Sequence, residues 1–328
     1  MYMNVRWLGA PFAWLYGLIM AVRGGLYDVG CLRVYRFSMP ILSVGNIAVG
    51  GTGKTPHVVH FARELQASGH KVAVLSRGYK RKTRGFILVE RGMTAREVGD
   101  EPLEMRRKLG DDVLVAVDRD RVHGVRQLLA AEPGLDVVLL DDGMQHRRLG
   151  RSLDILLTDY SRPYTEDRVM PWGRLREWRS GARRAGVVIV TKVPRVGQSV
   201  EAWRRRLRLQ PEQQLFFSRI KYSFPDSLSR SCVGMRVLLV CGIANPRPLV
   251  EEIERRGAKV ETMLFADHHA YTPRDLKQIA ERARGADVVL TTAKDAARLG
   301  DGLECGYEVV DIDVEIEYFR ITDYVAED

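Results

Sequence analysis

The sequence predicts an α/β fold: a mainly parallel sheet covered by helices, followed by a second, smaller α/β unit. Two observations carry that prediction. Short apolar runs alternate with segments of helical spacing along the chain. The first such strand and helix are joined by a glycine-rich loop of the kind that binds phosphate. With 328 residues, 45% of them apolar, the chain can bury a sizeable core. Two linked domains, 1–212 and 213–328, fit this length better than one.

The first element is an apolar stretch. Sixteen consecutive uncharged residues, Trp7 to Val22, lie between Arg6 and Arg23. A spanning helix needs roughly 20 apolar residues, and Pro11 and Gly17 weaken this one further. No small-residue cleavage site follows to make it a signal peptide. Trp7, Trp14 and Tyr16, with Arg6, Arg23, Arg33 and Arg36 around them, suit a helix lying among lipid headgroups. The plain alternative is a core helix packed on the next domain.

Met39–Val44 reads as a buried strand, GNIAVGGTGKTP (Gly45–Pro56) follows at once, and a helical pattern then runs to Gly69. A phosphate-binding loop requires this context. Gly50, Gly51 and Gly53, with Thr52 between them, let backbone N–H groups approach phosphate oxygens at a helix N-terminus. Lys54 is placed to reach the β- and γ-phosphates, and the Thr55 hydroxyl to ligate Mg²⁺. Ala48 stands where the usual pattern has its first glycine.

Further strands are predicted at Lys71–Ser76, Val113–Val117, Asp136–Leu140, Ile155–Thr158 and Val187–Val190. The run Asp136–Leu140 ends in Asp141 and Asp142. Phosphate-binding-loop enzymes place their Mg²⁺-holding acid at such a strand end, whereas elsewhere the same pair would be a solvated turn. Beyond residue 212, RVLLVCGI, KVETMLF and DVVLTT alternate with helices as another βαβαβ unit. Gly242 in that unit opens a helix after a strand, and the structural reading is preferred over a second phosphate site.

Composition excludes several functions. Cys31, Cys232, Cys241 and Cys305 are scattered, without zinc or redox spacing, which fits free thiols in a reducing compartment. The net charge of +9 suits an anionic lipid or a phosphorylated substrate. No nucleic-acid motif accompanies it, and aromatic residues are not interleaved with the arginine runs, so no nucleic-acid partner is expected. Arg204–Arg206 and Arg208 read as a solvated helix face. A GTPase-type switch is disfavoured too: in VVIVTKVP, Pro194 stands where a guanine-reading aspartate would be.

The run DDGMQHRRLGRSLDILL resembles the DDGxQH signature of the tetraacyldisaccharide 4′-kinases, the LpxK family of lipid A enzymes. VGNIAVGGTGKTP, SRGYKRK (Ser76–Lys82), GDEP (Gly99–Pro102), GRLRE (Gly173–Glu177), GIANP, ADHHAYT and TTAKDAARL resemble that family in order, over nearly the whole chain. Met144 departs from its usual Phe.

The resemblance implies a P-loop NTPase-like α/β/α sandwich and a smaller α/β domain joined by a two-stranded β linker, and Leu215–Phe224 and Glu308–Tyr318 have alternating patterns that could pair as those strands. It implies transfer of the ATP γ-phosphate, with Mg²⁺, to the 4′-hydroxyl of an acylated glucosamine disaccharide 1-phosphate. It also implies a membrane-surface protein on the cytoplasmic face of the bacterial inner membrane, and a monomer is expected. By the same resemblance Asp100 is the catalytic carboxylate and His268 its partner, while Glu101, Asp141 and Asp142 join Thr55 as Mg²⁺ candidates. Arg77, Tyr79, Gln145, His146 and Arg176 are the substrate-binding candidates. On residues alone, GDEP reads equally as a helix N-cap turn, and His268 or His269 as a surface histidine.

Overall fold

The computed structural model describes residues 10–194, 197–229, 232–243, 245–266, 269–299 and 302–325. In chain order the elements begin α1 (Ala10–Asp28), β1 (Ile41–Gly45), α2 (Lys54–Ala67), β2 (Val72–Ser76) and β3 (Ile87–Leu88). There follow α3 (Ala95–Val98), α4 (Asp100–Leu109), β4 (Leu114–Val117), α5 (Arg121–Ala131), β5 (Val137–Asp141), β6 (Leu153–Asp159) and β7 (Val187–Thr191). Next come α6 (Val200–Leu207), β8 (Gln214–Ser223), α7 (Asp226–Ser229), β9 (Arg236–Cys241), α8 (Arg247–Arg255) and β10 (Lys259–Leu264). The chain finishes with α9 (Pro273–Ala283), β11 (Val288–Thr292), α10 (Ala293–Leu299) and β12 (Glu308–Ile316).

The strands form one continuous sheet in the order β10-β9-β11-β12-β8-β7-β6-β1-β5-β2-β4-β3. Within each half the pairing is parallel, apart from the short antiparallel β3 edge. The predicted linker pair is present: β8 and β12 run antiparallel from Asp311↔Ser223 to Ile316↔Ser218. One end of β8 pairs with β7, and one end of β12 pairs with β11, so this ribbon carries the sheet from one half into the other.

Strand residues alternate between two faces. Leu42, Val44, Val72, Val74, Leu139 and Ile155 face α2 and α4, while Ile41, Ala73, Leu75, Val138 and Leu140 face α5. Both faces are covered, which is why these strands read as unbroken apolar runs. Phe319, Ile321 and Val325, beyond β12, return to the first half and pack in the α2 core, with Phe319 edge-on to Phe61 at 5.3 Å. The second half builds its own core on the two faces of β9.

Two local differences from expectation have clear causes. The apolar helix runs on to Asp28 through Gly24 and Gly25, because Arg147 donates to the Gly24 carbonyl at 2.7 Å and pairs with Asp28. Gly17 lies where α1 meets Trp178: a Cβ there would stand 2.6 Å from the Trp178 ring. It is a close-contact position that lets the helix seat, rather than a weak point in it. Trp7, Leu8 and Gly9 lie outside the described residues.

Candidate active site

The phosphate-binding loop emerges from β1, between β5 and β6 near the middle of the sheet. Gly50 (φ 127°) and Gly53 (φ 85°) adopt backbone conformations that disfavour a side chain, and Gly53 caps α2. Lys54 and Thr55 are therefore the first two residues of a helix whose N–H groups point into the loop. Asn46 Nδ2 donates to Thr52 Oγ1 at 2.7 Å, and Thr52 N–H to the Gly50 carbonyl at 3.0 Å, folding Gly50, Gly51 and Thr52 into a fixed turn.

Three struts hold this loop. The first is GRLRE: Val49 N–H donates to the Arg174 carbonyl at 2.7 Å, and Arg176 N–H to Ile47 at 2.8 Å. Ala48 bridges antiparallel to Leu175, and it is not among the positive-φ residues, so alanine costs nothing in place of glycine there. The second is Lys192, whose Nζ donates to the Gly51 carbonyl at 2.5 Å and to Asp159 Oδ2 at 2.7 Å. The third is His57, buried in α2 with Nδ1 2.6 Å from the Gly53 carbonyl and Nε2 2.9 Å from Ser218 Oγ. Burial lowers the His57 pKa to about 4, so the ring is neutral. The carbonyl can only accept, which puts the proton on Nδ1 and makes Ser218 the donor to Nε2.

The acids gather beside this loop. Asp141 is the last residue of β5, in register with Val44, and it is 2% exposed. Ser76 Oγ, at the end of β2, donates to its Oδ2 at 2.8 Å, while Oδ1 has no hydrogen-bond partner. Burial, with Glu101 and Asp142 close by, pushes the Asp141 carboxyl up to about 7, and Lys54 opposes that rise. Asp142 turns out of the strand at φ 54° and accepts from Arg176 Nη1 at 2.6 Å; its Oδ1 is likewise buried without a partner. Burial alone would raise Asp142, but Lys54 and Arg176 outweigh it and leave the carboxyl below its usual range.

Of the substrate candidates, Gln145 and Arg176 join this cluster directly. Gln145 Nε2 donates to the Asn46 carbonyl and to Glu177 Oε1, both at 3.0 Å, and its Oε1 accepts from Arg176 at 3.3 Å. His146 is held neutral, its pKa lowered to about 4 by burial and by Arg121 and Arg77. Arg77 lies near enough to depress both His146 and Arg121. Tyr79 is 60% exposed, with Lys80 Nζ 5.7 Å from its ring centroid, and its carbonyl would meet a Cβ on Gly99 at 3.0 Å.

Asp100 and Glu101 form the first turn of α4, after Gly99 at φ 96°. The helix-start reading of GDEP therefore holds, and it places both carboxylates at one helix end. Arg298, from α10 in the other half, donates to Asp100 Oδ2 through Nε at 3.0 Å, with Nη2 at 2.9 Å. His268 lies outside the described residues. His269 is engaged in the α9 cap, with Nε2 2.9 Å from Asp275 Oδ2 and its ring stacked on Phe265. Gly242 is structural: a Cβ would meet the Ala266 carbonyl at 2.8 Å, and its N–H donates to Asp295 at 3.0 Å.

Several neighbours were given no role in the sequence reading. Arg121, 2% exposed, donates to the Asp118 carbonyl and to the Asp141 carbonyl at 3.1 Å, and burial lowers its pKa to about 10. Asn46, Glu177, Lys192, Asp295 and Arg298 also lie in these contacts. No preassembled group of three or more metal-ligating side chains occurs among the described residues. That is no obstacle to Mg²⁺, which keeps several waters and is usually held by one or two carboxylates together with substrate phosphates. Two buried carboxylate oxygens without donors, in the field of Lys54 at the helix start, fit such an ion.

Two cavities lie under α1. One, about 340 Å³, is rich in arginine, bordered by Arg23, Arg147, Arg183 and Arg184, with Asp28 and Glu177 paired to Arg147 and Arg184 in the same wall. The other, about 680 Å³, is mainly apolar, with Trp14, Val169, Trp172 and Leu175 on its walls. They share Trp178 and Ser180.

The profile of a family described as tetraacyldisaccharide-1-P 4′-kinase, LpxK, matches residues 5–324. A tetraacyldisaccharide 4′-kinase from Bacteroides fragilis is 44% identical over 336 residues, covering 95% of this chain and 89% of that protein. One from Flavobacterium johnsoniae is 42% identical over 299 residues, covering 89% and 86%. Among solved structures, the "apo" form of LpxK from Aquifex aeolicus in complex with ATP is similar, with a TM-score of 0.73, 30% identity and 94% of each chain covered.

Proposed function

Because the chain belongs to the tetraacyldisaccharide-1-P 4′-kinase family, we propose that it moves the γ-phosphoryl group of ATP to the 4′-hydroxyl of a tetraacylated disaccharide 1-phosphate, with Asp100 taking the hydroxyl proton. Gly50 to Thr55 cradle the ATP phosphates, and Lys54 follows the charge that moves with the γ-phosphoryl group. Thr55, Asp141, Asp142 and Glu101 are the groups that would hold Mg²⁺, whose chemistry is to neutralise phosphate charge. His268 partners Asp100. Arg176, Gln145, His146, Arg77 and Tyr79 serve the lipid substrate. The observation that carries this reading is the pair of partnerless buried oxygens on Asp141 and Asp142, set in the field of Lys54. Residues 1–212 and 213–328 are the two proposed domains, in a monomer.

The same reading accounts for α1. Among the described residues, no helix is long and apolar enough to cross a membrane. Ala13 and Gly17 are buried, while Phe12, Trp14, Leu15, Leu18, Ile19 and Val22 are all at least 40% exposed. An exposed apolar face of this size on a helix flanked by arginines suits the membrane surface, here the cytoplasmic face of the inner membrane. The apolar and basic cavities side by side suit a substrate with acyl chains at one end and sugar phosphate at the other. Replacing Leu15 and Ile19 together by Gln is expected to weaken partitioning onto anionic lipid vesicles by at least about tenfold. Sedimentation with vesicles checks this, and unchanged partitioning would count against the membrane face.

Lys192→Ala is expected to raise KM for ATP by about fivefold with kcat little changed, since it removes a charged, partly exposed donor to the Gly51 carbonyl. Initial rates against ATP concentration provide the measurement. The deciding assay for the reaction itself supplies Mg-ATP and tetraacyldisaccharide 1-phosphate in detergent micelles. New phosphate on the distal sugar is expected; ATP hydrolysis without a lipid product would overturn the reading.

A further inference from the structure

We propose that Arg298 is a positioning residue for the Asp100 carboxylate, held in place by the buried Asp295; this rests on the reading of Asp100 as proton acceptor. TTAKDAARL, which contains both residues, has no assigned task in the chemistry described above. Its geometry supplies one. Arg298 is 6% exposed at its side chain and bridges two carboxylates. Nε and Nη2 meet Asp100 Oδ2 at 3.0 and 2.9 Å, and Nη1 donates to Asp295 Oδ1 at 3.1 Å.

Asp295 is completely buried, and its other contacts fix it from three directions. Its Oδ2 accepts from Gly242 N–H at 3.0 Å and from Thr292 Oγ1 at 2.8 Å, while its Oδ1 accepts from the Tyr271 hydroxyl at 3.2 Å. Gly242, Tyr271 and Thr292, from three separate segments, therefore converge on one carboxylate. That carboxylate orients one guanidinium, and the guanidinium reaches across to GDEP. The planar fork of an arginine can satisfy two carboxylates at fixed angles, which a lysine cannot do. Its described contacts with Asp100 both fall on Oδ2 and pin that oxygen toward Arg298. In-line transfer needs a proton acceptor in one orientation. The pair also joins the two halves of the sheet, so an ordinary structural tie is the competing account.

The test compares Arg298→Ala, Arg298→Lys, Asp100→Ala and the Arg298→Ala/Asp100→Ala double variant, each with its melting temperature. Arg298→Ala is expected to lower kcat by about 10²-fold, the loss typical of a misplaced reacting group, while KM for ATP holds. Arg298→Lys should recover little of that loss, and added guanidinium should restore part of the activity of Arg298→Ala. In the Asp100→Ala background, losing Arg298 should cost less than about twofold, because residues that act as one unit are not additive. A multiplicative loss in the double variant, or unchanged or increased kcat in Arg298→Ala, overturns the proposal. Should Arg298→Ala not fold, Asp295→Asn carries the same test, keeping the side-chain shape while weakening the hold on Arg298. Near-normal activity in Asp100→Ala would instead remove the proton-acceptor reading beneath it. An inactive Asp100→Ala beside a normal Arg298→Ala removes only this inference.

Discussion

Lys54→Ala is expected to lower kcat by about 10²–10³-fold, the scale on which preorganised electrostatic groups act on a transition state. Lys54 starts α2 directly after the left-handed Gly53, so its backbone position is fixed by the loop rather than by its own side chain. Its charge acts on both Asp141 and Asp142, holding the first down against burial and the second below its usual range. Removing the ammonium leaves Glu101, Asp141 and Asp142 facing one another with less compensation, so ATP binding should weaken as well. The kcat loss should nevertheless exceed the change in KM, because the loop backbone still cradles the phosphates. Lys54→Met, which keeps most of the stem, should behave alike if charge is what matters. A rate within tenfold of the parent in either variant would remove Lys54 from the chemistry.

The parts of this site that were legible in the sequence are the locally encoded ones. A strand, a glycine turn and a helix start occupy consecutive residues, so Gly50 to Thr55 could be read from order alone. The acid pair was legible as a strand end, although the strand includes Asp141 itself. Hydropathy gives no warning that an aspartate will be buried as part of a strand. The roles of Arg121, Lys192, Asp295 and Arg298 were not legible because each depends on partners brought close by the fold, and a single charged residue on a helix or after a strand carries no periodic signal. Gly17 shows the same limit from the other side. Its sequence context suggests a weak helix, and only the Trp178 ring, far along the chain, explains it. The linker pair was legible through its alternation, whereas the return of Phe319 and Ile321 to the α2 core was not.

Asp100→Asn is expected to lower kcat by about 10²–10⁴-fold, the range for loss of a general base, with KM for either substrate little changed. Asparagine keeps the size of the side chain, and its carbonyl oxygen can still accept from Arg298 Nε, so the helix start and the contact across the halves should survive. What it cannot do is take a proton. The variant therefore separates two roles that a truncation to alanine would mix, and a melting temperature near the parent's would confirm the separation. A second comparison distinguishes proton acceptor from metal ligand. If Asp100 held Mg²⁺ directly, raising the Mg²⁺ concentration should restore much of the lost rate, since weakened affinity yields to mass action. If it takes the proton, saturating Mg²⁺ leaves the deficit in place. For Asp141→Asn the expectation is reversed: under the metal role proposed for its partnerless buried oxygen, its defect should shrink as Mg²⁺ rises. Opposite responses of Asp100 and Asp141 variants to the same titration would assign the two carboxylates to different tasks. A shared response would place both on the metal and leave the proton without an acceptor at Asp100.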